Sequence, residues 1–190
     1  MPGTSWSSPT IESAWQNRPG ALALPWGTVI LPAMGFHQLI RHQDIPASIG
    51  EVWDFICRPE NLREITPAYM GFEIISSEVP EVMYPGMIIA YKVRPVAGIP
   101  MTWVTEITHI EEGRYFVDEQ RVGPYALWHH EHLLEPIEGG VRMTDIVSYR
   151  LPMGPLGDLV HALFVRRQLN SIFKFRIVAV EKRFGRFGDS

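Results

Sequence analysis

Between Phe116 and Tyr149 the chain runs FVDEQRVGPYALWHHEHLLEPIEGGVRMTDIVSY, three runs of alternating side-chain character divided by Gly123-Pro124 and Gly139-Gly140. Period-two alternation broken by turn residues specifies three antiparallel strands. Successive side chains of a strand point to opposite faces, so the pattern also assigns the faces. On the last strand Val141, Met143, Val147, Tyr149 and Leu151 share a face with Asp145 in their midst, while Arg142, Thr144, Ser148 and Arg150 share the other, interrupted only by Ile146. On the strand before it Ala126, Trp128, His130, His132 and Leu134 fall together, and on the one before that Phe116, Asp118 and Gln120. Titratable groups are costly to bury without partners. An apolar sheet face carrying an aspartate and two histidines therefore either satisfies itself internally or lines a cavity, and a cavity is expected.

The length of 190 residues with 46% hydrophobic side chains suits one domain with a sizeable core plus an appendage. The formal charge of −4 argues against a nucleic-acid surface, which ordinarily carries a basic face. Cys57 is the single cysteine, which excludes an internal disulfide and favours a reducing, cytoplasmic location. The apolar runs fall short of the ~20 residues a membrane-crossing helix needs, so no membrane insertion is expected.

Residues 1–35, rich in Pro, Gly and Ser and broken by Pro25, Gly27 and Pro32, are expected to form a poorly ordered leader or extension, with the folded domain over 36–190. The first basic residue is Arg18, which disfavours a secretory signal, and Met34 is an alternative natural start. Phe36 to Ile45 reads as a first strand. Ser48-Ile49-Gly50-Glu51 is a capping box opening a helix with Ile49, Val52, Trp53 and Ile56 on one face. Pro59-Glu60-Asn61-Leu62 opens a second short helix that ends before Pro67. Strands follow over Phe72–Ser77, Met87–Arg94 (Ile89, Tyr91 and Val93 on one face) and through Met101, Trp103, Thr105 and Ile107. With the three strands above, about seven strands in mostly hairpin succession predict a curved antiparallel sheet. From Leu159 to Phe184 neither proline nor glycine intervenes, which predicts a long helix with Asp158 as its N-cap. Its expected stripe is Leu159, Leu163, Phe173, Ile177, Val180 and Phe184, and it passes through Arg166 and Asn170. Polar residues on that stripe suit a lid over a partly polar cavity.

Strand, two short helices, six strands and a long C-terminal helix is an order that resembles the helix-grip arrangement of the START-like or SRPBCC superfamily, an α+β fold. That superfamily includes birch-pollen-allergen-like proteins, lipid-transfer domains and polyketide cyclases. The local motifs resemble its bacterial cyclase/dehydrase-like branch. They are Val52-Trp53-Asp54-Phe55, Pro59-Glu60-Asn61-Leu62, Ile65-Thr66-Pro67, Phe116-Val117-Asp118-Glu119-Gln120, Gly123-Pro124-Tyr125, Trp128-His129-His130-Glu131-His132, Met143-Thr144-Asp145, and Gly154-Pro155-Leu156-Gly157 leading to Phe164-Val165-Arg166-Arg167-Gln168-Leu169. The resemblance covers about residues 36 to 184 and implies a deep cavity between sheet and C-terminal helix that holds a small hydrophobic or aromatic molecule, lipid- or polyketide-like. Relatives in this branch also occur joined to epimerase-like dehydrogenase domains, which makes such an enzyme an alternative partner.

The candidate ligand-binding residues are Tyr91, Trp103, Phe116, Asp118, Gln120, Trp128, His130, His132, Asp145, Tyr149, Arg166 and Asn170. Arg166 and Arg167 suit an anionic group by bidentate bonds, or a solvated helix face. Two readings of the polar cluster stand beside simple binding. His130 and His132, ~6.8 Å apart along one strand face, with Asp145 or Asp118, have the composition of a zinc or iron site. Since the superfamily is usually metal-free and no cysteine supports the site, no metal or cofactor is expected. Alternatively Asp145 with His130 or His132 serves as the acid/base pair of a cyclase or dehydratase. His129, Glu131 and Glu119 fall on the opposite, outer face by alternation.

Overall fold

A computed structural model describes residues 35–96 and 98–188. The leader expected over residues 1–35 lies outside them except for Gly35. The strands are β1 (Phe36–Ile45), β2 (Glu73–Ile74), β3 (Met87–Val96), β4 (Ile99–Glu111), β5 (Tyr115–Val122), β6 (Leu127–Ile137) and β7 (Gly140–Arg150). They form one antiparallel sheet in the order β1-β7-β6-β5-β4-β3-β2. Successive hairpins carry the chain from β2 to β7, and β1 closes the far edge against β7. This is the helix-grip arrangement: a curved seven-stranded sheet, short helices after β1, and a long C-terminal helix.

The helix α1 (Ile49–Ile56) begins as its sequence dictates. Glu51 N–H donates to Ser48 Oγ at 3.3 Å, and Ser48 N–H donates to Glu51 Oε2 at 2.9 Å. The helix buries Val52, Trp53 and Phe55, and the chain then turns through tight helical turns at Pro59–Arg63 and Ala68–Met70. Strand β2 is shorter than the expected Phe72–Ser77. The Ala90 N–H donates to Ser76 Oγ at 2.8 Å, so a side chain takes a ladder position that backbone would otherwise fill.

The C-terminal helix departs from expectation in three ways. It starts at Pro155 with Gly154 as N-cap, so Asp158 lies inside the first turn. It is also not uniformly α-helical: α2 (Pro155–Val160) passes through a π-helical segment, His161–Val165, into α3 (Arg166–Phe184). There the Arg166 N–H donates to His161 O, five residues back. One extra residue in a turn rotates everything before it by roughly 100° relative to everything after it. The buried stripe accordingly runs through Val165, Leu169, Phe173, Arg176 and Val180, while Leu159 and Leu163 are 54% and 58% exposed.

Three apolar clusters surround the space between sheet and helix. One joins α1 to β1 and β7 through Ile45, Val52, Trp53 and Val141. A second lies on β3 and β4 through Met87, Ile89, Tyr91, Val93 and Ile107. The third joins Val147 and Tyr149 of β7 to Val165, Leu169 and Phe173.

Candidate functional site

A cavity of about 170 Å³ lies where these clusters fail to meet. One water needs only ~10–15 Å³ on the same measure, so this is a chamber and not a packing flaw. Each cluster contributes to its wall, with Phe55 and Phe116 from the first, Tyr91 and Val93 from the second, and Leu169 and Phe173 from the third. Trp103, Tyr125 and Trp128 form an aromatic corner: the two indoles meet edge to face at 5.2 Å, and Tyr125 lies 5.6 and 4.8 Å from them.

The polar part of the wall follows from strand register. Asp118 on β5 stands opposite His130 on β6, and His132 stands opposite Asp145 on β7. All four side chains project to the same face, so two imidazoles sit between two carboxylates. His130 Nε2 is hydrogen-bonded to Asp145 Oδ1 at 2.9 Å, and His132 Nε2 to Asp118 Oδ2 at 3.0 Å. The remaining ring nitrogens are also close to carboxylates: His130 Nδ1 lies 3.3 Å from Asp118 Oδ2 and His132 Nδ1 lies 2.9 Å from Asp145 Oδ1. The two rings are 3.8 Å apart, and Phe116 stacks on His132 at 4.1 Å. From α3, Arg176 Nη1 donates to Asp145 Oδ1 at 3.2 Å.

Burial and charge pull these groups in opposite directions. Burial would raise the carboxyl of Asp118, but His130 and His132 outweigh it and hold it well below the usual carboxylate range. Burial likewise works against the Asp145 carboxylate; Arg176 and the two imidazoles overcome it, and Asp145 also stays far below its ordinary value. Burial would lower His130, yet Asp118 and Asp145 raise it above its ordinary value. Tyr91, on the adjoining wall, is pushed up by burial and by the charge of Asp118.

Of the twelve residues singled out from the sequence, Tyr91, Trp103, Phe116, Asp118, Trp128, His130 and His132 line the cavity. The other five do not. Asp145 is 4% exposed and sits behind the imidazoles. Gln120 spends its amide on the turn, donating to Tyr125 O at 2.8 Å. The Tyr149 hydroxyl is hydrogen-bonded to His161 Nε2 at 2.8 Å. Asn170 accepts from Arg41 on β1, and Arg166 is exposed; within α3 the buried stripe centres on Leu169, Phe173, Arg176 and Val180, which leaves both residues on its flank. Sequence reasoning missed Arg176, Tyr125 and Gln168, which also line the cavity. Arg176 was within reach of it: it lies three residues after Phe173 and four before Val180, both already on the stripe. Gln168 bonds to the carbonyl of Pro95 and so ties α3 to the end of β3.

A family model described as "Polyketide cyclase / dehydrase and lipid transport" matches residues 45–173. Solved structures with the same fold include a protein from Arthrobacter aurescens, 16% identical with a TM-score of 0.59, covering 76% of this chain and 86% of that one. A protein from Thermus thermophilus is 17% identical with a TM-score of 0.56, covering 78% and 97%. Ara h 8.0201 is 19% identical with a TM-score of 0.53, covering 78% and 99%. At such identities these structures speak for the fold alone. No match was found among curated proteins.

Proposed function

Because the chain belongs to the polyketide cyclase/dehydrase and lipid transport family, we propose that its cavity holds a mostly apolar small molecule, aromatic or lipid-like, with a hydrogen-bond-accepting end against Arg176. The observation that carries this reading is Arg176 Nε. It is a buried donor on a cavity-lining residue and has no hydrogen-bond partner among the described residues. An unmet buried donor costs about 1–3 kcal/mol, more when charged, and a ligand acceptor would recover it. The aromatic corner supplies the apolar contact.

The test is a fluorescence titration of delipidated protein with 1-anilinonaphthalene-8-sulfonate, an apolar probe with an anionic end, read through Trp103 and Trp128. Saturable quenching is expected. Arg176→Leu should weaken it at least tenfold while leaving the uncharged N-phenyl-1-naphthylamine little affected. No saturable binding of either probe to the folded protein would refute the reading.

A catalytic reading rests on His130 and His132 both facing the cavity with Asp145 behind them. The acid/base group is then an imidazole, and Asp145 is a positioning residue that holds its ring and charge. Cyclisation or dehydration of a bound polyketone needs little more than a shaped chamber and one such group. Turnover of a polyketone, lost in His130→Gln and His132→Gln with binding retained, would establish it.

A further inference from the structure

We infer that Asp118 Oδ2, His130 Nδ1 and His132 Nε2 form a binding site for one divalent first-row transition-metal ion, open to the cavity. Each of the three residues offers a ligand atom, and these atoms all lie within 4.8 Å of one another. Two donors each ~2.1 Å from one ion stand about 3.0 Å apart at a right angle and about 3.4 Å apart at the tetrahedral angle. Asp118 Oδ2 lies 3.0 Å from His132 Nε2 and 3.3 Å from His130 Nδ1, which falls in that interval.

The opposite edge of each ring supplies the second argument. Metal-bound histidines characteristically hold their other nitrogen against a carboxylate, which fixes the tautomer and orients the ring. Here one oxygen, Asp145 Oδ1, meets His130 Nε2 and His132 Nδ1, both at 2.9 Å, and Arg176 anchors it from behind. Asp145 does not line the cavity, whereas Asp118, His130 and His132 do. The donors thus face the open space and their support faces the core.

Charge balance is the third argument. Two neutral imidazoles carry two N–H protons for four nitrogen–carboxylate contacts at 2.9–3.3 Å. Two of those contacts would then oppose a lone pair to a carboxylate oxygen. Asp118, Asp145 and Arg176 together leave one negative charge, which favours a cation, and an ion held by Asp118 Oδ2, His130 Nδ1 and His132 Nε2 would replace both of those opposed contacts with bonds to the ion. Two imidazoles and one carboxylate with positions left open are a donor set suited to zinc or iron(II), and a poor one for magnesium, which prefers oxygen ligands. The inference reaches beyond ligand binding and does not depend on it, because metal uptake is read with delipidated protein.

The experiment is equilibrium dialysis of full-length, tag-free, chelator-stripped protein against zinc, with magnesium as control, followed by elemental analysis. One equivalent of zinc per chain and no magnesium is expected. Asp118→Asn should lower zinc affinity more than a hundredfold, and Asp145→Asn about 10–100-fold, with circular dichroism confirming that each variant is folded. Cobalt(II) added to the wild-type protein should give visible absorption of a four- or five-coordinate nitrogen/oxygen site, a readout that needs no variant. Lack of saturable zinc uptake by the folded wild type, a cobalt spectrum of the hexaaqua ion only, or a full equivalent of undiminished affinity in Asp118→Asn would overturn the inference.

Discussion

Asp145 receives His130, His132 and Arg176 on a single oxygen and is 4% exposed, yet it does not reach the cavity. Its part is to make three buried cationic or proton-bearing side chains tolerable. Removing it strands them. Urea denaturation should show Asp145→Ala less stable by about 3–5 kcal/mol, the usual cost of leaving a buried charge without its partner. A loss under ~1 kcal/mol would mean that the cluster is not held as described. Strand alternation made Asp145, His130 and His132 legible as neighbours, because period two fixes a face wherever the register is sound. It did not tell which carboxylate would look into the cavity. Asp118 does, with 16% of its side chain exposed against 5% for Asp145, because α3 delivers Arg176 over the latter. That depends on a partner distant in sequence, which no local pattern encodes.

Among the elements, β6 and β7 bring the polar cluster together, and β1 holds β7 from the other side. Register along that edge ends at Ile45, Val141 and Gly140. A Cβ on Gly140 would stand 2.0 Å from Ile45 O, a backbone atom that cannot swing away. Gly140→Ala is therefore expected to cost more than ~1 kcal/mol of stability in a denaturant titration, against the few tenths typical of a surface glycine. The helix shows where the sequence fell short. Unbroken helix-forming residues predicted its span well, but a π segment has no compositional signature, so a straight count puts Leu159 and Leu163 on the wrong face. The same segment brings His161 beneath Tyr149 and stacks it on His37 at 3.5 Å, with Asp158 and Arg166 also near. Burial, then His37 and Arg166, lower His161 below its ordinary 6.5. The unfolded chain then takes up this proton first, so stability falls as pH drops below 6.5. His130, held above 6.5, acts in a separate window, its contribution being lost as pH rises through its folded pKa. Melting temperatures of wild type and His161→Gln should accordingly converge as pH falls from about 7.5 to about 5.5; a constant difference would contradict the assignment.

At the scale of the whole molecule, the core is divided among three clusters so that a chamber remains between them. Were it dry and sealed, about 170 Å³ would cost at most on the order of 4 kcal/mol at ~24 cal/mol per Å³. Against a typical stability of about 5–15 kcal/mol that is a large sacrifice for an unused space. An occupant that fills the aromatic corner and meets Arg176 would offset it. Native mass spectrometry of protein purified gently from its own cells tests this most directly. The account predicts a species heavier than the bare chain by one small organic molecule, released by solvent extraction and rebound in an equimolar ratio. Bare chain alone, together with failure of the stripped protein to take up any apolar probe, would contradict it.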